Sequence, residues 1–343
     1  MHIMAYVIKS YADALKLKPR IHYLVDKILP GGSLSVWYGF PGSLKSNLLM
    51  DLGMAVATGQ NWLPCLPNST STFPGYKVVQ VPVIWCDIDQ GEDVVEERIR
   101  AFGSVYGAHE LTDFYYMPYP DIRAVSDRAM LDLTNCLEQF LQSKAISYPL
   151  IVIDTLLRAA KVKDENSSEM DTAMRNLRKM TEVLKSTTVL ISHSNKVNNG
   201  RAGNALRGHS SIEGGVDAVF RVSRENNSDV VEVTNEKARR KPVDPFSARW
   251  TFESDPVSDE LLKARFYISD TARVSKTQQT MNTLMANIRD LLVAEGQMNK
   301  SELYSRIKGS KTNFDQAIAQ AVRDGHIYEM PGFFNNSKVY NAK

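Results

Sequence analysis

A short segment from Gly39 to Ser46 has the residue types of a phosphate-binding loop. Such loops follow the pattern G-x-x-x-x-G-K-[ST], in which backbone N–H groups and a helix N-terminus surround anionic oxygens. Lys45 is placed to reach the outer phosphates of a nucleotide, and Ser46 to ligate Mg²⁺ through its hydroxyl. The predicted nucleotide-binding residues are Gly39, Phe40, Pro41, Gly42, Ser43, Leu44, Lys45, Ser46 and Asn47.

Leu44 occupies the position where the pattern has its second glycine. In the left-handed backbone region a non-glycine residue costs on the order of 1 kcal/mol, whereas at negative φ it costs little. The sequence therefore leaves open whether Leu44 is a tolerated variant or a sign of a slowed enzyme. A chance turn is disfavoured, because a strand-like segment (33–39) precedes the loop and a helix-like segment (44–59) follows it.

Acidic residues at the ends of two apolar segments could serve the same site. "LIVID" ends in Asp154, which would join Ser46 in holding Mg²⁺ and its waters. The alternative role for Asp154 is to cap the segment that follows. The segment 81–89 offers Asp87 and Asp89 as carboxylates that activate water. Strand alternation would put both on one side, so periodicity alone does not choose between them.

The elements that must position these residues alternate along the chain. Apolar strands are predicted at 33–39, 81–89, 148–155 and 187–194, and helices at 44–59, 91–103, 126–144 and 167–186. This alternation predicts an α/β fold with a mainly parallel central sheet covered on both faces. After residue 215, short strands with polar turns predict antiparallel additions to one edge of that sheet.

The last part of the chain has a different pattern, in the order helix, helix, helix and hairpin. That order is typical of a winged helix-turn-helix. The predicted organisation is an N-terminal arm (1–20), an ATPase-type domain (21–267), a polar linker (268–280) and a winged-helix domain (281–343). The helix expected to enter DNA carries balanced charge, so the winged helix is equally suited to contact a protein partner.

Composition places few further limits on the protein. The net charge of +2 over 343 residues demands no nucleic-acid partner, so that a basic site would have to be local. Three widely spaced cysteines fit a reducing compartment, and we expect a cytoplasmic protein. The first 20 residues lack the features of a signal peptide, and no apolar run approaches the ~20 residues of a membrane span.

Taken together, these segments resemble the RepA-like hexameric replicative helicases, which are ring ATPases with a RecA-like P-loop core. The resemblance covers roughly residues 20–255 and is most specific in the "IDTL", "ENSSEM" and "ISHSNK" segments, whose order and spacing match. It implies ATP and Mg²⁺ as cofactors at the interfaces of a homo-hexameric ring, and single-stranded DNA as partner. It also implies a plasmid, phage or integrated element as origin, and a replication partner bound through the winged helix.

The resemblance also implies roles for individual residues. Asp89 stands where the family has a catalytic glutamate, nine residues before a matching arginine, Arg98. His193 matches a histidine that senses the γ-phosphate, although a lone histidine after a strand is often structural. Arg207 matches an arginine finger, and the Lys-x-Arg pair Lys237 and Arg239 is a rival for that role. The predicted catalytic residues are Lys45, Asp89, Asp154, His193, Arg207, Lys237 and Arg239.

A glycine- and asparagine-rich segment, 195–211, is the predicted single-stranded DNA contact. Its Lys196 and Arg201 would follow the phosphates, as sequence-independent binding requires. The alternative is a solvated loop with no ligand.

Two departures from the family pattern, Leu44 and Asp89, bear on the rate of hydrolysis. Aspartate is one methylene shorter than glutamate, about 1.5 Å, and a misplacement of ~1 Å can cost ~100-fold in rate.

The leading hypothesis is an ATP-dependent DNA helicase. The alternative is a slow nucleotide-switched DNA-binding or scaffold protein. A metabolic kinase is disfavoured, because the sequence offers no acceptor site.

Overall fold

The computed structural model describes residues 8–16, 21–69, 71–162, 168–194, 210–225, 228–269, 276–307, 310–323, 325–331 and 338–342. The chain divides into two compact units, Met1–Thr271 and Ala272–Lys343. Among the described residues, no helix has both the length and the apolar character needed to cross a membrane.

The first unit alternates strands and helices along most of its length. Its helices are α1 Tyr11–Leu15, α2 Lys45–Thr58, α3 Glu92–Tyr106, α4 Asp127–Ser143, α5 Leu156–Ala160, α6 Ser168–Val183 and α7 Ser210–Gly215. Its strands are β1 Tyr23–Val25, β2 Leu29–Pro30, β3 Leu34–Gly39, β4 Val83–Asp87, β5 Phe114–Pro118, β6 Leu150–Asp154, β7 Thr187–His193, β8 Ala218–Arg224, β9 Val230–Ala238, β10 Phe246–Ser254 and β11 Leu261–Ile268.

Within the described residues, nine of these strands form one sheet in the order β11-β10-β9-β8-β3-β7-β6-β4-β5. The strands from β8 to β5 are parallel to one another. The strands from β8 to β11 pair antiparallel. The predicted α/β fold, with a mainly parallel sheet and antiparallel strands at one edge, is therefore confirmed. Strand β3 lies between β7 and β8, so the segment after it leaves the middle of the sheet.

Helices cover both faces of this sheet. In β4, Val83 and Trp85 pack into the apolar cluster that contains the buried residues of α2 and α3. Their neighbours Ile84 and Cys86 pack into the cluster on the other face, with residues of α4 and α6. Both faces of each central strand are thus buried, which explains the nearly continuous apolar runs in the sequence.

Strands β4 and β11 differ from the sequence expectation. Strand β4 ends at Asp87, two residues before the predicted boundary at 89. Strand β11, Leu261–Ile268, has no counterpart in the prediction, because Lys263 and Arg265 interrupt its apolar pattern. Its backbone is nevertheless tied to the core, since the N–H of Phe266 donates to the buried Asp51 on α2 at 3.1 Å.

The second unit has its own apolar core and a three-stranded sheet in the order β12-β14-β13. Its elements are α8 Lys276–Glu295, β12 Met298–Asn299, α9 Lys300–Arg306, α10 Lys311–Arg323, β13 Ile327–Pro331 and β14 Lys338–Ala342. Helix α8 begins at Lys276, inside the range 268–280 expected to be a linker. The assignment of this unit as a winged helix stays a prediction.

Candidate nucleotide site

The phosphate loop connects the end of β3 to the start of α2, in the middle of the sheet. A Cβ atom on Gly39 would lie 2.1 Å from the carbonyl oxygen of Val222 on β8, so this strand end has no room for a side chain. Gly42 has φ +80°, which favours glycine. The backbone of the loop is therefore determined at two points by its glycines.

Leu44, which replaces the second glycine of the motif, has φ +60° and ψ +24°. This is the left-handed region, where a leucine costs about 1–2 kcal/mol. Its side chain packs against the apolar core under α2, and its carbonyl accepts from the N–H of Leu48 at 2.9 Å. Leu44 therefore has the strained left-handed backbone that the sequence left open, and its side chain is directed to the core.

Lys45 is the first residue of α2 and is 4% exposed. Its ammonium donates to the carbonyl oxygens of Gly39 and Phe40, both at 2.9 Å, and to the hydroxyl of Ser43 at 3.3 Å. Burial lowers the pKa of Lys45 to about 8, and the charge of Asp154 opposes this shift. A phosphate in the loop would offer the ammonium an anionic partner in place of neutral carbonyls.

Asp154 ends β6 beside the loop and is 1% exposed. Its carboxylate accepts a hydrogen bond from the amide of Gln90 at 3.1 Å. Burial raises the pKa of Asp154 to about 6, although the nearby Ser46 hydroxyl and the charge of Arg98 oppose the shift. A hydroxyl next to a carboxylate is a donor set of hard oxygens that suits Mg²⁺, which binds few protein ligands and keeps several waters.

The structure separates the two acids that strand periodicity left equivalent. Asp87 is the last residue of β4 and is 2% exposed, and its Oδ1 accepts from the N–H groups of Asp89 and Gln90 at 3.1 and 2.8 Å. It thus shapes the turn after the strand. Asp89 lies beyond the strand, where alternation no longer applies, and its side chain is 30% exposed. Asp89 is therefore the acid that is accessible to a ligand.

His193, the last residue of β7, pairs in register with Gly39 at the end of β3. Its Nε2 lies 4.0 Å from Oδ2 of Asp89, and its side chain is 43% exposed. Asp89 also accepts a hydrogen bond from the guanidinium of Arg158 at 3.2 Å. The structure therefore brings Asp89 and His193 together at the carboxyl end of the sheet, beside the loop.

Lys237 and Arg239 lie at the opposite end of the sheet. Their neighbour Ala238 pairs with Ala218, the first residue of β8, whereas Arg224, the last residue of β8, reaches the loop. Strand β8 has seven residues, so the two ends are about 20 Å apart. The structure thus does not bring Lys237 and Arg239 to the phosphate loop of their own chain.

Sequence reasoning missed three residues that contact the site. Arg224 donates to the carbonyl of Gly42 at 3.3 Å, Arg158 binds Asp89, and Gln90 binds Asp154. Arg158 and Gln90 lie within four residues of the strand-end acids, and that proximity was the available signal. Arg224 is distant in sequence and is brought to the loop only by the pairing of β8 with β3.

The other predicted loop residues differ in their exposure. Phe40 is 53% exposed, Pro41 is exposed, Ser43 is buried, and Asn47 lies in the first turn of α2. Arg207, Lys196 and Arg201 lie outside the residues that the structure describes.

Solved structures that align with this chain include an ATPase domain, a DnaB-like replicative helicase described with its interactions with primase, and the RadB recombinase. The first has 13% identity and a TM-score of 0.48, and the match covers 63% of this chain and 81% of that one. The second has 14% identity and a TM-score of 0.46, covering 64% and 55%. The third has 14% identity and a TM-score of 0.42, covering 64% and 88%. Comparison with curated proteins gave no match.

The family comparison covers more than half of the chain. Residues 8–199 match the family AAA_25, described as an AAA domain. The matched range contains the phosphate loop, Asp89, Asp154 and His193 at the carboxyl end of the sheet. The chain therefore belongs to the AAA_25 family of AAA domains.

Proposed function

We propose that the protein is an ATP-dependent DNA helicase or translocase of RepA-like type that works as a ring. The observation that carries this proposal is the convergence of Lys45, Ser46, Asp154, Asp89 and His193 on one end of the sheet. Membership in the AAA_25 family adds support for ATP as the nucleotide.

The described residues suit distinct steps of ATP hydrolysis. Lys45 and the loop amides would bind the phosphates, and Ser46 with Asp154 would hold Mg²⁺, which would supply positive charge to neutralise the phosphates. Asp89 orients and deprotonates the attacking water, because its side chain is 30% exposed whereas Asp87 is buried. His193, 4.0 Å from Asp89, senses the terminal phosphate from the neighbouring strand end.

A ring is supported by the position of Lys237 and Arg239. Both lie about 20 Å from the loop of their own chain, so that they reach a nucleotide only if it is bound by a second copy. A cation supplied in trans raises the rate of phosphoryl transfer in such arrangements. Arg207 stays the alternative finger. Lys196 and Arg201 are the proposed DNA contacts, and the C-terminal unit is proposed as a winged helix that binds a replication partner.

Steady-state ATP hydrolysis with and without single-stranded DNA tests the proposal. We expect wild-type protein to hydrolyse ATP in the presence of Mg²⁺, and DNA to stimulate the rate. Lys45→Ala should abolish hydrolysis, whereas Lys185→Ala, an exchange of a lysine distant from the loop, should not. Tight ATP binding without any DNA stimulation would contradict the helicase assignment.

Two observations favour a second candidate, a slow nucleotide-switched DNA-binding or scaffold protein. Leu44 has the left-handed backbone that the motif assigns to glycine, and Asp89 is paired with Arg158 at 3.2 Å. Both features would slow hydrolysis without preventing nucleotide binding. Asp89→Glu distinguishes the two: an increase in kcat of tenfold or more would indicate a site tuned for slow turnover.

A further inference from the structure

Three cations, one from α6 and two from the end of β9 and the residue after it, meet at the C-terminal end of helix α7. Lys237 donates to the carbonyl oxygens of Glu213 and of Val216, the latter at 3.1 Å. Arg239 donates to the carbonyl of Gly214 and Arg178 of α6 to that of Gly215, both at 2.8 Å. The last carbonyls of a helix lack partners within it, so the cations satisfy acceptors that would otherwise be unpaired.

Asp217, directly after this helix end, connects two of the cations. Its Oδ2 accepts from Arg178 at 2.6 Å and from the N–H of Leu34 at 2.9 Å, and its Oδ1 accepts from Arg239 at 3.4 Å. Burial raises the pKa of Asp217, but the hydrogen bonds from Arg178 and Leu34 outweigh it and hold the pKa below its usual value. Asp217 is thus an anion fixed to the backbone of β3, and the two arginines are fixed to it.

This cluster borders a cavity of about 180 Å³ at the amino end of β3. The charged residues that line it are Lys27, Arg178, Arg239, Arg240, Lys241 and Asp217. Five cations against one carboxylate give a lining charge of +4, and that carboxylate is already engaged by arginines. Such a lining favours an anionic ligand. A second, more open cavity of about 500 Å³ is also bordered by Arg178 and Arg239.

We propose that Arg178 and Asp217 are positioning residues that hold Arg239 in the orientation needed to bind a phosphate of the nucleotide carried by a second copy of the chain. This inference rests on the proposed function, because it requires ATP to lie between copies. The physical reason is pre-organisation: an arginine fixed by a carboxylate and a carbonyl loses less conformational freedom when it meets the phosphate. Arg178 acts through Arg239 and contacts no phosphate itself.

A double-mutant comparison of ATP hydrolysis tests the positioning role. We expect Arg178→Ala to lower kcat by about 10- to 100-fold, as a misplaced catalytic group does, while the KM for ATP changes little. The double variant Arg178→Ala/Arg239→Ala should be no slower than Arg239→Ala alone. Arg128→Ala, which removes an exposed arginine paired with Asp132 on α4, is the matched control and should keep wild-type kcat. Losses that multiply in the double variant would overturn the inference.

Mixed assemblies test whether Arg178 of one copy supports hydrolysis of ATP bound by another copy. A Lys45→Ala copy lacks a working loop but keeps its Arg178, Asp217 and Arg239, whereas an Arg178→Ala copy has the opposite defect. Co-expressed together, the two should recover hydrolysis well above the sum of the separate proteins, since some interfaces then join two intact halves. No recovery would overturn the inference. If Arg178→Ala does not fold, Asp217→Asn, which keeps the side-chain volume, takes its place in both experiments.

The experiments distinguish failure of the positioning role from failure of the proposed function. If the wild-type protein hydrolyses ATP with DNA stimulation but Arg178→Ala is as active as Arg128→Ala, the positioning role is wrong and the proposed function stands. If the wild-type protein does not hydrolyse ATP at all, the proposed function itself is wrong.

Discussion

Burial controls the charge of the two groups nearest the phosphate loop. Asp154 and Lys45 are 1% and 4% exposed, so burial favours the neutral form of each. Burial raises the pKa of Asp154 to about 6 and lowers the pKa of Lys45 to about 8. A carboxylate that is expensive to ionise gains most from a cation beside it. Asp154 is thus poised for a divalent ion, and the affinity for Mg²⁺ with nucleotide should weaken as the pH falls below about 6.

Asp154→Asn tests whether the ionised carboxylate destabilises the fold while it supports Mg²⁺ binding. The folded-state pKa of Asp154 is raised above its value in the unfolded chain, so the stability it contributes is present at low pH and lost as the pH rises through about 6. The amide cannot ionise and avoids this loss. We expect the variant, without ligand, to be more stable than wild type at pH 8, by at most about 3 kcal/mol, and to keep only about half of this advantage at pH 5, where the wild-type carboxyl is largely protonated in the folded state but still ionised in the unfolded chain.

Chemical denaturation at the two pH values measures the difference, and nucleotide binding with Mg²⁺ should be lost at both. Asp132→Asn, which changes an exposed carboxylate on α4, is the control and should show no such dependence on pH. A variant that is less stable than wild type at pH 8 would show that the ionised carboxylate contributes favourably to the apo fold.

At the scale of elements, the backbone is strained at Leu44, directly before α2. Leu44 precedes the helix with φ +60° and has no side-chain hydrogen bond to the helix N-terminus. Leu44→Gly and Leu44→Ala remove the same packing against the core, but only alanine keeps a Cβ atom in the left-handed region. We therefore expect Leu44→Gly to be more stable than Leu44→Ala by about 1 kcal/mol. Denaturant titration of both variants checks this order.

The reverse order would have a clear meaning. At negative φ, alanine is favoured over glycine by about 1 kcal/mol at a helical position. A more stable Leu44→Ala would therefore show that residue 44 has right-handed backbone geometry and that the loop is not strained there.

Elements with continuous apolar runs could be predicted from the sequence, and those that depend on pairing could not. Strands β3, β4, β6 and β7 are buried on both faces, and their composition alone indicates them. The edge strand β11 alternates with charged residues, and its place is set by its pairing with β10. The same holds for the site. The motif predicted Lys45, whereas the contact of Arg224 with Gly42 depends on strand order.

The choice between Asp87 and Asp89 shows a second limit of sequence reasoning. Alternation treats them as equivalent only while the strand continues, and the strand ends at Asp87. The turn that follows, closed by the hydrogen bonds to Asp87, sends Asp89 toward His193. Likewise, the cations at the end of α7 come from segments more than 20 residues away from that helix end in the sequence, so no local pattern predicts that they meet there.

At the scale of the whole molecule, the described residues of the candidate nucleotide site all lie in one of the two units. The unit Met1–Thr271 contains the phosphate loop, the strand-end acids and both apolar clusters of the large sheet. The unit Ala272–Lys343 has an apolar core of its own, built from α8, α9, α10 and its small sheet. Each core is composed of residues from its own unit, which is the usual requirement for independent folding.

We therefore expect a chain that ends at Thr271 to fold cooperatively and to bind ATP with Mg²⁺ at an affinity within about threefold of the full-length protein, a difference of less than about 1 kcal/mol. Titration with a fluorescent ATP analogue measures this, and Lys45→Ala in the shortened chain is the control that should abolish the signal. A shortened chain that folds but binds ATP more than tenfold more weakly would show that Ala272–Lys343 supports the nucleotide site. Equal affinity with lost DNA stimulation would instead assign the C-terminal unit to DNA or partner recognition.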